Sequence, residues 1–92
     1  MSLNLYWQPV VPQERHCLGG HPVKGVLVRA FGDGDGSRMT EFELTAANFG
    51  ELRMLQRVHD SPSENHQEIR DGIEKVIEAV ERYGAVQCFT AD

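Results

Sequence analysis

The sequence predicts a small α+β domain of two layers, a three-stranded sheet with helices packed on one face, in the order β-α-β-α-α-β. Two short segments alternate apolar and polar side chains, one long segment repeats apolar residues at helical spacing, and turn-forming residues separate them. Three strands cannot close into a barrel, and amphipathic helices need an apolar surface to cover. A sheet roofed on one side meets both requirements.

The first strand is expected at Leu3–Gln8. Leu3, Leu5 and Trp7 fall on one side, and Asn4, Tyr6 and Gln8 on the other. Pro9 and Pro12 withdraw backbone donors around Val10 and Val11, so regular pairing should fade there. Gln13–His21, with Gly19-Gly20, reads as a loop. Val23, Val26, Leu27, Ala30 and Phe31 then recur at helical spacing, behind Pro22 and ahead of Gly32. The β-prone run Val26-Leu27-Val28 keeps a strand as the competing reading, with the helix preferred.

Gly32-Asp33-Gly34-Asp35-Gly36 is a turn by composition. Thr40, Phe42 and Leu44 alternate with Glu41 and Glu43, which makes a second strand with one wet face. Thr45 or Asn48 can cap the next helix. Asn48 and Glu51 fit a capping box, and Phe49, Leu52, Leu55 and Val58 form an apolar stripe. Ser61-Pro62-Ser63-Glu64 joins a capping serine, a proline and a glutamate three residues on. Ile69, Ile73, Val76, Ile77, Val80 and Tyr83 then line one face of a long helix. Asp71–Lys75 and Glu78–Arg82 suit supporting pairs on the opposite face, and Gly84 ends the helix. Ala85–Thr90 reads as the last strand.

The 92 residues, 1–92, fit a single domain. A chain of that size hides roughly 60–65% of the surface its unfolded form exposes, which supports a modest core. Hydrophobic residues at 40% and charged residues at 25% exclude disorder throughout. The formal net charge is −5, from 14 acidic and 9 basic side chains, which argues against nucleic acid as a partner. Arg15, Lys24, Arg29 and Arg38 all fall in the less acidic first half. The acidic surplus on the last helix reads as a solvated face. Two widely spaced cysteines, Cys17 and Cys88, make no disulfide framework. There is no basic-then-apolar leader, and no segment approaches the roughly 18 apolar residues of a membrane span. A cytoplasmic location away from membranes is therefore expected.

Each chemical suspect has a plainer reading beside it. His16, Cys17 and His21 place two imidazoles and a thiol in one segment, and Cys88 can be a fourth zinc ligand if the last strand lies near the first. Their spacing matches no finger or ribbon, so ordinary loop residues are expected and no metal or cofactor is assigned. A nucleophilic Cys17 or Cys88 needs a base within reach, and adjacent His16 and Cys17 on an extended segment point apart. Asp33 and Asp35 fail the calcium-loop register, because Arg38 stands where glycine is required and Leu44 where a bidentate glutamate is required. No phosphate-cradling glycine pattern is present. Glu41 and Glu43 stand about 7 Å apart on one strand face, a spacing that suits paired carboxylates but is commonplace on a wet sheet. His59 and His66 flank a turn and are expected to face solvent.

What remains is surface. The uncovered side of the sheet should show Asn4, Tyr6, Gln8, Glu41 and Glu43, with Tyr6 and Phe89 side by side if the terminal strands pair. Tyr6, Phe89, Trp7 and Arg15 are the candidate interaction residues, since aromatics supply contact area at low entropic cost. The opening Leu5–Val10 and the closing Ile77–Val86 resemble segments of small bacterial or prophage reading frames. That likeness implies an accessory protein and transfers no residue roles. The expectation is a non-enzymatic protein-interaction module that binds a protein partner or self-associates, including as a homodimer. A small metal-dependent or thiol enzyme centred on His16, Cys17 and His21 is the alternative.

Overall fold

The computed structural model describes residues 4–9, 15–19, 21–32 and 40–91. Expectations placed on residues 1–3, 10–14, 20 and 33–39, including the glycine-aspartate turn and Arg38, lie outside the described residues. The two ends of the chain meet at the centre of the sheet. Strand β1 (Asn4–Pro9) runs antiparallel to β4 (Ala85–Ala91), with Tyr6 opposite Phe89, Trp7 opposite Cys88 and Gln8 opposite Gln87. Two further strands flank this pair. β2 (His16–Gly19) pairs with β1 and β3 (Glu41–Thr45) with β4, giving an antiparallel sheet of order β2-β1-β4-β3.

The sheet thus has four strands among the described residues, not three, and the chain order begins β-β-α rather than β-α. His16–Gly19 was expected to be loop because its own pattern is weak. Only Leu18 is buried, and the ladder is irregular, with Leu5 opposite Gly19 but Tyr6 opposite Cys17. The backbone donors and acceptors of β1, rather than intrinsic strand propensity, make this segment extended.

Three helices follow the sequence pattern more closely. α1 (His21–Phe31) is helical, which decides against the strand reading, and Val23, Leu27 and Val28 form its buried stripe. A 3₁₀ turn, Ala46–Asn48, precedes α2 (Phe49–Val58). Here the capping box falls three residues earlier than expected. Ala47 N–H donates to Thr45 Oγ1 at 3.3 Å and Thr45 N–H to Asn48 Oδ1 at 2.9 Å, so Asn48 serves the turn and makes no side-chain cap on α2. α3 (Glu64–Tyr83) is capped by Ser63, whose hydroxyl accepts from His66 N–H, not by Ser61. Gly84, with φ of 87°, ends it as expected.

α3 is the spine of the helical layer, with α1 and α2 both packed against it. Ile69, Ile73, Val76, Ile77 and Val80 meet Leu5, Leu18, Phe42, Leu44, Val86 and Cys88 of the strands in one core. Val58 and Tyr83, placed on apolar stripes by spacing, are exposed because they lie at helix ends beyond that cluster. The connection between α2 and α3 is tied by Arg70, whose Nη1 donates to the His59 and Ser61 carbonyls at 2.6 and 2.8 Å. His59 and His66 are half-buried here, contrary to expectation. Their rings meet edge to face at 5.2 Å, and Ser61 N–H donates to His66 Nδ1. The ion pair found among the described residues is Arg53–Glu74, at 2.7 Å between α2 and α3, not the pairs expected along α3. Hydrogen bonds from Arg53 and Gln56 hold the Glu74 carboxyl below the usual carboxylate range. Among the described residues no helix is long and apolar enough to cross a membrane.

At Gly72, α3 comes close to Val23 of α1. A β-carbon there would stand 2.9 Å from one Val23 methyl and 3.0 Å from the other, and valine has little rotamer freedom with which to yield. Gly25, in α1, faces open space. Gly72→Ala should therefore lower stability by about 1–2 kcal/mol in urea denaturation despite its better helix propensity. Gly25→Ala should raise stability by up to about 1 kcal/mol.

Candidate functional site

Strand alternation sorts the candidate residues onto two surfaces. On β1, Leu5 and Pro9 are fully buried beneath the helices, so Tyr6 and Gln8 must point the other way. The same rule puts Val86, Cys88 and Thr90 of β4 inside and Gln87 and Phe89 outside. The outer row therefore runs Cys17, Tyr6, Phe89, Glu41 across the sheet, with Gln8, Gln87 and Glu43 in the next. Among the described residues no helix covers this side.

Tyr6 and Phe89 stack on that face with ring centroids 5.6 Å apart and planes at 22°. The Arg15 guanidinium stands 4.6 Å above the Tyr6 ring centroid, within cation–π range. An open depression of about 610 Å³ lies beside the stack, lined in part by Gln8, Arg15, Glu41, Gln87 and Phe89. Glu41 and Glu43 are exposed on β3. The expected pairing of Tyr6 with Phe89 is thus present in the geometry, and Arg15 joins it.

Trp7 stands apart from these three. It faces the helical layer, where its indole stacks on His16 with centroids 4.4 Å apart and tilts against Tyr83 at 6.2 Å. A groove of about 400 Å³ opens there between β2 and α3, bordered by Lys75, Glu78 and Arg82. This aromatic edge could not be read from the sequence without β2, and the only clue was a tryptophan on the apolar side of a strand.

Among the described side chains, His16, Cys17 and Cys88 of the expected metal or thiol group do not converge. His16, Trp7 and Cys88 lie in one row on the helix side, so His16 and Cys88 are two strands, roughly 10 Å, apart with the indole between them. Cys17 alternates to the opposite face, where it is exposed. His21 opens α1, and its side chain lies outside the described residues. Among the described residues no three His, Cys, Asp or Glu side chains are grouped to hold a metal. Burial pushes the Cys88 thiol up to about 12, which keeps it protonated and a poor nucleophile near neutral pH.

The open face carries two stacked rings, a guanidinium, two carboxylates and two side-chain amides. Comparison with protein-family models, curated proteins and solved structures gives no match.

The burial contrast between the cysteines sets a direct expectation. A chromogenic disulfide reagent should titrate one thiol per native chain and two after denaturation. Cys17→Ser should abolish the native reaction. Rapid native labelling of Cys88 would contradict its placement in the core.

Proposed function

We propose that this domain is a non-catalytic protein-interaction module whose contact surface is the helix-free side of the sheet. The observation that carries the reading is the Tyr6–Phe89 stack with Arg15 laid over it. A few residues carry most of the binding energy at protein interfaces, and tyrosine and arginine are enriched among them. Here the sheet holds them in place before any partner arrives, which lowers the ordering cost of association.

The chemistry of the face favours protein over nucleic acid. Glu41 and Glu43 lie on the same surface, and the chain carries a net charge of −5. Both features repel a phosphate backbone.

The double variant Tyr6→Ala/Phe89→Ala tests the reading. Circular dichroism should show a folded protein, since the rings lie outside the main core. Affinity for the partner, captured from host lysate on immobilised protein and then purified, should fall at least about thirtyfold, the loss of about 2 kcal/mol expected when an aromatic anchor is removed. The matching surface control Met54→Ser/Val58→Ser, on α2, should bind like wild type. Unchanged binding by the sheet-face variant would refute the proposal.

A further inference from the structure

We propose that the occupant of this face is a second copy of the chain, packed sheet against sheet about a two-fold axis running nearly parallel to the strands. This rests on the interaction reading above and adds the identity of the partner. Charge is distributed unevenly across the face. Arg15 precedes β2 at one edge of the sheet, Glu41 and Glu43 occupy β3 at the other edge, and the stacked rings lie on the two central strands between them.

Symmetry then restricts the arrangement. A two-fold axis along the strands, above the seam between β1 and β4, places β2 of one copy over β3 of the other. Arg15 then faces the partner's Glu41 and the partner's Glu43, and this contact occurs twice. Tyr6 lies over the partner's Phe89, joining the two stacks into one aromatic centre. Gln8 meets the partner's Gln87, and carboxamides carry both donors and acceptors, so they pair with their own kind. An axis across the strands would instead put β2 on β2 and β3 on β3, setting arginine against arginine and glutamate against glutamate. Like-charge contacts of that kind disfavour association.

Two further features agree with the strand-parallel axis. Aligned sheets pack with their strands about 30° apart, so the axis would lie roughly 15° from the strand direction. That offset moves the β2 edge along the partner's β3 by about one side chain, which keeps Arg15 within reach of one or the other glutamate. In addition, Glu41 and Glu43 are exposed on β3, and the Arg15 guanidinium is exposed where it lies over Tyr6.

Charge reversal separates this proposal from the broader one. The two variants are Arg15→Glu and Glu41→Lys/Glu43→Lys, each checked for folding by circular dichroism. Light scattering and sedimentation equilibrium should give wild type twice the 10.3 kDa chain mass. Each variant alone sets like charges across the interface and should weaken the dimer at least tenfold, by about 1.4 kcal/mol. An equimolar mixture restores opposite charges at both contacts, so it should recover a dimer of near wild-type affinity containing one copy of each variant. Monomeric wild type at about 100 μM would overturn the proposal, as would a dimer indifferent to both reversals or a mixture that does not reassociate. If wild type is monomeric yet Tyr6→Ala/Phe89→Ala still loses a different protein, the face is an interaction surface and only the second copy is wrong. If that variant loses nothing, both readings fail.

Discussion

Pairing between β1 and β4 is the constraint from which the other features follow. It joins residues more than 80 positions apart in sequence, Tyr6 with Phe89 and Trp7 with Cys88, at the centre of the sheet. Because side chains alternate along a strand, this register alone decides what each face carries. A slip of one residue on β1 would expose Leu5 and bury Tyr6. The fully buried Leu5, Val86 and Cys88 lock the register against that slip.

The helical layer converts this register into an asymmetric slab. α3 lies against the sheet and receives α1 and α2, with Gly72 admitting Val23 at close range. The apolar stripes enter one cluster, so the apolar demand of the helices is met on one side of the sheet. The opposite side retains two rings, an arginine and several polar groups. Acid should loosen the slab at the α2–α3 contact. The lowered folded-state range of Glu74 contributes stability above its unfolded titration range, and that contribution is lost as falling pH protonates it in the fold.

Much of this arrangement was legible in the sequence, and the failures have physical causes. The long helix was plain because six apolar residues fall on one face between a capping region and Gly84. Strand alternation at Tyr6 and Phe42 foretold which side chains share a face, and hence the aromatic pair. β2 was not legible, since an edge strand of four residues with a single buried side chain takes its conformation from its neighbour. The cap of α3 was assigned to Ser61 because Pro62 suggested a first turn, whereas Ser63 is the residue whose hydroxyl reaches His66 N–H. Nothing local marks the half-buried seats of His59 and His66, because Arg70 organises that turn from a distant position on α3. Arg15 was named for its type, while its seat above Tyr6 depends on β2 and could not be inferred without it.

The most direct test of the account is the β1–β4 register, measured by nuclear Overhauser effects in isotope-labelled protein together with a soluble paramagnetic probe. Cross-strand contacts are expected between Tyr6 and Phe89 and between Trp7 and Cys88. In monomeric protein, signals of the Tyr6 and Phe89 rings should broaden with the probe, while those of Leu5 and Val86 should not. Contacts shifted by one residue, or Tyr6 showing effects to α3, would contradict it.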